Sequence, residues 1–332
     1  MQYRFSTKVQ EYLSKEWEFV KLSALFFTIV VTSVMMPFIT VIFAGNINQA
    51  HLDGVGLANT IYNVVALSVS SGYSSVFDTY GPQVHGSAES SELGTVLVKC
   101  LLQGGLVHLI ILGPYLNLVY VIDMLPTEGL HSGEETIVAD DFRDIAVQYL
   151  RLTVFVEYLD YAVMMISKYF AVQGQTKFVY IVSGAMIATH VAANYGLVSV
   201  LNMGVNGLGI AAIIGRAVPL AVSLLICIVK VKREEFVWSG IGFKTLIGWK
   251  PMVKLGVSGA INCFAEMALY EISTFCSQFD GRNALSVIII LVQILSIWWA
   301  ITYCQDSSNI NRHCFGEREC KECETLHKTD TC

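Results

Sequence analysis

Between residues 22 and 302 long apolar stretches alternate with short polar ones. A helix that crosses about 30 Å of hydrocarbon needs roughly 20 residues. Eight runs meet that length, at 22–43, 55–77, 96–118, 150–172, 178–200, 208–229, 257–276 and 284–302. The second is the most polar: Asn59, Asn63, Ser68, Ser70 and Ser71 interrupt it and Asp78 follows it. Lipid offers such groups no partner, so this helix is predicted to face protein or a water-filled cavity. Ahead of the first run, residues 1–21 are polar, with no cleavable signal, and read as a cytosolic lead-in.

Composition agrees with the pattern. Of 332 residues 54% are hydrophobic and 14% charged, and the mean hydropathy is +0.56. Soluble domains carry about 25% charged residues, so the expectation is an all-α polytopic membrane protein whose surroundings are the lipid bilayer. The net charge of -6 and the absence of a basic face argue against nucleic acid as a partner.

Lys and Arg in loops set orientation. With the N-terminus inside, the cytosolic segments hold Arg4, Lys8, Lys15, Lys21, Lys177, Lys230, Lys232, Arg233, Lys244, Lys250 and Lys254, and the outer loops hold Arg143 and Arg282. The N-terminus is therefore expected in the cytosol, and the acidic loop 123–144 outside.

The nine cysteines form no disulfide framework. Cys100, Cys227, Cys263 and Cys276 lie in apolar runs, where a thiol behaves as a small hydrophobe. The other five crowd the polar tail 304–332, where Cys320 and Cys323 make a CxxC near Cys314, Cys332, His313 and His327. Zinc takes ligands from such spacings, but one CxxC without a hydrophobic period favours a reduced cytosolic tail, so no metal or cofactor is expected.

Ionisable groups inside the spans carry the chemistry, because a mid-membrane acid costs about 2.5 to 3.5 kcal/mol on insertion scales. Glu157 and Asp160 lie two to three turns from the outer end of the fourth run. They either reach interfacial water or pair with Arg216 of the sixth, which otherwise snorkels to an end. Glu266 falls near the middle of 257–276 with no cation on its own helix. Asn262, Glu266 and Tyr270 recur every four residues and form one polar stripe that must look inward. Glu271 points about 140° away from Glu266 on an ideal helix. Such a carboxylate can hold a proton or an organic cation, one displacing the other, which is the physics of an exchanger. Tyr62, Tyr73, Tyr158, Tyr161 and Tyr270 are available for cation–π contact or for packing.

These residues resemble a known family. "CFAEMALYE", with Cys263, Glu266, Tyr270 and Glu271, is similar to the C-x-E-W-W-x-Y-E segment on the seventh helix of eukaryotic members of the multidrug and toxic compound extrusion (MATE) family, with Met267 and Ala268 at the two Trp positions. "AGNINQAHLDGVGLAN" resembles the family's first loop, and "SSVFDTYGPQVHGS" its second-helix motif through Asp78, Thr79, Gln83 and Gly86. "YLRL", "VQGQTK", "HVAANYGL" (with Asn194 and Tyr195) and "LNMGVNGLGIA" resemble its fourth to sixth helices, so the likeness runs over residues 17–303.

The resemblance implies twelve helices in two six-helix lobes around a cleft of alternating access. This chain would supply the first lobe (22–230), a cytosolic linker (231–254) and two helices of the second (255–303), giving about eight transmembrane helices. It also implies proton-coupled efflux of small organic cations and xenobiotics, expected at the plasma membrane, with Glu266, Glu271, Asn262 and Tyr270 as substrate and proton sites and Asp78, Gln83, Asn194 and Tyr195 in support. Two departures stand out. Gln293, after Val292, occupies the place of an eighth-helix Glu that follows Tyr in many animal members, and after Tyr303 the pattern stops. The chain therefore reads as C-terminally truncated, and the alternative to an antiporter is a non-transporting product that pairs with a full-length relative and modulates it. A membrane enzyme is not expected, since no nucleophile elbow or paired metal-ligand motif sits at a helix end.

Overall fold

The computed structural model describes residues 2–87, 90–123, 136–232 and 242–277, with scattered helical positions between 284 and 298. Among them are nine α-helices: α1 (Gln2–Ile47), α2 (Gln49–Tyr62), α3 (Ser68–His85), α4 (Leu93–Asp123), α5 (Thr136–Thr153), α6 (Val156–Val172), α7 (Thr176–Asn194), α8 (Gly204–Lys232) and α9 (Trp249–Ser277). Six stretches are long and apolar enough to span a bilayer, at Phe27–Ile47, Gln49–His85, Leu93–Asn117, Thr176–Val200, Gly204–Val231 and Trp249–Leu269. They coincide with the first, second, third, fifth, sixth and seventh apolar runs. The eighth run, Gln293 within it, and the tail 304–332 lie outside the described residues apart from those scattered positions, among which Ile289 is buried.

Two runs take a form that hydropathy did not predict. The second belongs to a rod from Gln49 to His85 in which a π-helical turn, Asn63–Leu67, joins α2 to α3. The fourth run, 150–172, is broken: α5 ends at Thr153 and α6 starts at Val156. The stretch ahead of it, expected as outer loop, becomes α5 because Ile145, Ala146, Tyr149 and Leu150 are spaced to bury one helical face. Local chemistry starts α2, where the Asn48 side chain accepts a bond from the His51 amide at 2.9 Å.

Packing divides the bundle into two apolar clusters with a polar layer between them. One gathers Leu25, Met36, Phe77, Tyr161, Tyr169, Phe170 and Val179, and the other Val41, Ala44, Val55, Ala58, Tyr149, Leu150 and Leu208. Along α1, α3, α6 and α7 the buried polar residues Thr40, Ser70, Ser71, Asp160 and His190 fall between the stretches that feed the two clusters. Helix α9 docks on α3 through glycines: a Cβ at Gly259 would stand 2.7 Å from the Gly72 carbonyl oxygen, and one at Gly72 would strike the Ala260 backbone. Small residues are what let membrane helices approach this closely.

Candidate functional site

Facing helices are joined by two buried ion pairs. On α6, Lys168 puts Nζ 2.7 Å from Asp78 Oδ2 of α3 and donates to Ser74 Oγ at 2.9 Å. Both charged side chains are essentially sequestered, at 1% and 4% exposure. About two turns earlier on α6, Asp160 Oδ1 lies 3.5 Å from Arg216 Nε of α8, so the Arg takes one of the two acids rather than snorkelling. Arg216 also donates to the Ala212 carbonyl at 3.3 Å.

Glu157 is buried one turn before Asp160 on the same helix. It does not reach interfacial water, the other outcome open to it from sequence. The hydroxyls of Tyr62 and Ser70 and the charge of Arg216 lie close enough to act on its carboxyl, although neither oxygen receives an aligned hydrogen bond from protein. A cavity of about 60 Å³ adjoins the layer, bounded by Tyr62, Asn63, Ser70, Ser71, Asp160, Arg216 and, from α9, Met267. Across α1, α7 and α8 the same layer continues: His190 Nε2 is 3.0 Å from Thr40 Oγ1, and His190 Nδ1 is 3.2 Å from the Ala211 carbonyl. Gly215 makes room for that imidazole, since a Cβ there would stand 2.6 Å from Nδ1.

The sequence-predicted residues divide between the layer and elsewhere. Asp78 lies within the first apolar cluster rather than in the layer, as a buried ion-pair partner that ties α3 to α6. Asn194 is fully buried and donates to the His190 carbonyl at 2.9 Å, within its own helix. Gln83 is exposed near the end of α3, and Tyr195 is 61% exposed on the π-helical turn after α7, so neither joins the layer. On α9, Asn262 is exposed and Glu266 half-buried. Cys263, between them, stands within electrostatic reach of both Glu266 and Lys168 of α6. Tyr270 and Glu271 continue α9, but their side chains lie outside the described residues, as does Gln293.

Three buried polar groups were not singled out from sequence: Lys168, His108 and His190. Lys168 stands near the end of an apolar run, where a Lys reads as snorkelling. The two histidines lie in otherwise apolar stretches, and only packing reveals that His108 meets Ser70 at 2.8 Å and that His190 meets Thr40.

Comparison with known proteins gives one direction. The MatE family model matches residues 25–196. Multidrug and toxin extrusion protein 2 of Pongo abelii is 27% identical over 299 residues, 89% of this chain and 48% of that protein. Multidrug and toxin extrusion protein 1 of Homo sapiens is 25% identical over 272 residues, 80% of this chain and 45% of that protein. The chain thus spans about half the length of the curated relatives it matches. Among solved structures, the eukaryotic MATE transporter AtDTX14 superposes with a TM-score of 0.78 at 15% identity, covering 91% of this chain and 65% of that one. A MOP superfamily transporter from Pyrococcus furiosus superposes with a TM-score of 0.63 at 13% identity, covering 89% and 63%. At these identities the superpositions establish the fold: a helical membrane protein built like the MATE transporters.

Proposed function

Because the chain belongs to the MatE family, we propose that it forms the first lobe and the start of the second of a secondary active transporter that exchanges small organic cations for protons by alternating access. The names of its relatives speak of multidrug and toxin extrusion, and the site residues supply a physical reason for the same chemistry here. The carrying observation is Glu266: a half-buried carboxyl on the helix that packs against α3, one residue from Met267 at the wall of the cavity. An acid in that position holds a proton or a cation, and displacement of one by the other couples their movements. No cofactor enters the exchange, and the coupling ion is H+. The residue spans 22–230, 231–254 and 255–303 act as first lobe, linker and start of second lobe, with the N-terminus cytosolic and the plasma membrane as the site of action.

The test is uptake of a model organic cation by cells that express this chain together with the second lobe of an animal relative. Glu266→Gln keeps the side-chain shape and removes the exchangeable proton, so pH-driven uptake is expected to disappear at equal surface expression, while Gln83→Ala leaves it intact. Normal uptake by Glu266→Gln would remove Glu266 as the coupling site. A second reading, in which the chain pairs with a full-length relative and modulates it, is favoured by α9: Ile261, Asn262, Phe264 and Leu269 are all exposed on it. Co-purification with a tagged full-length relative, with altered uptake by that relative, would select this reading.

A further inference from the structure

A second buried acid has a titratable partner of its own, away from α9. His108 of α4 receives or gives a hydrogen bond at Nε2 to Ser70 Oγ at 2.8 Å, while its Nδ1 faces the Gly104 carbonyl at 2.6 Å. A carbonyl only accepts, so Nδ1 carries hydrogen in every protonation state and Nε2 is the atom that titrates. With Nε2 bare, Ser70 donates its O–H to the imidazole. With Nε2 protonated, His108 donates to Ser70 Oγ, and the hydroxyl hydrogen is released to point elsewhere. Ser70 lies close enough to Glu157 to act on its carboxyl, with no aligned hydrogen bond between them.

Between His108 and Glu157 the structure also leaves a small chamber of about 30 Å³, lined by Tyr62, His108, Tyr115, Thr153 and Glu157 among apolar residues. A single water needs roughly 10–15 Å³ and two to four polar partners, so the chamber has room for one or two waters. Tyr115 Oη and both Glu157 oxygens have no aligned protein partner and are turned into buried space. Every element packed around Glu157 contributes a group that must be counted: Tyr62 from α2, Ser70 from α3, Tyr115 and His108 from α4, Thr153 from α5, Asp160 from its own helix and Arg216 from α8. His108 for its part is flanked by the Tyr158 and Tyr161 rings, with centroids 5.8 Å and 5.4 Å away. Arg216 is 3.5 Å from Asp160, which leaves Glu157 and His108 as the two groups of the chamber between which a proton can be shared.

We infer that the first lobe carries its own proton-binding centre, in which His108 and Glu157 titrate as one unit through the Ser70 hydroxyl and the water-sized chamber beside them. The transfer balances without a further reactant. An imidazolium Nε2–H bond breaks as its proton passes to Ser70 Oγ, the Ser70 O–H bond breaks as its proton passes to a chamber water, an O–H bond of that water breaks as its proton passes to a Glu157 oxygen, and neutral imidazole, water and neutral carboxyl remain. The reverse sequence restores the ion pair, and loss of the one shared proton leaves neutral His108 and ionised Glu157. Any part this centre plays in antiport rests on the transporter reading above. Its existence does not, because nothing in it depends on α9.

The experiment uses the purified chain in lipid nanodiscs, with isotope-labelled histidine followed by NMR and isotope-labelled glutamate by infrared difference spectroscopy as pH is varied. Coupled sites must perturb each other reciprocally. The His108 signal is therefore expected to move its midpoint by about one pH unit or more in Glu157→Gln, the Glu157 carboxyl band to move likewise in His108→Gln, and Glu266→Gln to disturb neither. Should either variant fail to fold, Ser70→Ala keeps both groups and removes the bridge, and it is expected to separate the two titrations. The inference is overturned if either group titrates unchanged when the other is removed, or if neither changes protonation across the pH range in which the protein stays folded. Neither signal requires transport. Uptake that survives Glu266→Gln would thus count against the antiport reading alone, and unlinked titrations against this centre alone.

Discussion

The Lys168–Asp78 pair poses a question at the scale of single residues, because a buried ion pair stabilises little by itself yet is costly to break. Removing one partner from such a pair typically costs 3–5 kcal/mol, since a charge is left stranded in low dielectric, whereas replacing both by apolar residues is often neutral. Lys168→Met is thus expected to lower thermal stability in detergent by that order, and Lys168→Met combined with Asp78→Leu to recover most of the loss. Melting of Lys168→Met at the parent temperature would show that Asp78 is satisfied by other groups. If the double variant is stable but loses uptake, the pair serves transport as well as packing. Asp78 was visible in the sequence because it interrupts a span and matches a family motif. Lys168 was not, because its partner lies 90 positions away in the chain and hydropathy at a helix end looks the same for a buried Lys as for a snorkelling one. The Asp160–Arg216 contact was one of two open outcomes, and only helix packing chose between them.

Elements were legible where period and length coincide and obscure where the backbone departs from a regular helix. Six described spans match apolar runs because roughly 20 consecutive apolar residues have one low-energy form in lipid. The π-helical turns Asn63–Leu67 and Tyr195–Val200 left no such trace, since a single inserted residue changes no composition, yet the first re-aims the face of α3 that carries Ser70 and Ser74. Helix α5 did leave a trace, in the spacing of Ile145, Ala146, Tyr149 and Leu150, which a window tuned to membrane spans passes over. The α3–α9 crossing carries a prediction of its own. Gly72→Val inserts a branched side chain where even a Cβ would meet the Ala260 backbone, so the two helices must separate. That should release α9 from the first lobe, which faster alkylation of Cys263, a buried thiol of α9, would report. An unchanged alkylation rate would mean that α9 is held by other contacts.

For the whole molecule, orientation follows from charge and the division of labour from what α9 leaves uncovered. From the Lys and Arg bias, residues 123–144 are expected outside and the connection 230–254 inside, so an epitope at Ser132 should be labelled on intact cells, and labelling only after permeabilisation would invert the bundle. Within the bundle, the first lobe pairs two of its buried acids with cations, Asp78 with Lys168 and Asp160 with Arg216, and joins His190 to Thr40. Helix α9 has not reached that state. Only 17% of its membrane window is buried against the rest of the structure, and Asn262 is exposed. A polar side chain facing hydrocarbon costs several kcal/mol, so the stripe that carries Asn262 and Glu266 needs a second wall. Residues 1–332 reconstituted alone in liposomes are therefore expected to show no saturable organic-cation uptake under an imposed pH gradient, and uptake is expected to appear when a relative's second lobe is supplied. Gradient-driven uptake by the isolated chain, lost in Glu266→Gln, would show instead that two copies, or the residues after α9, close the cleft unaided.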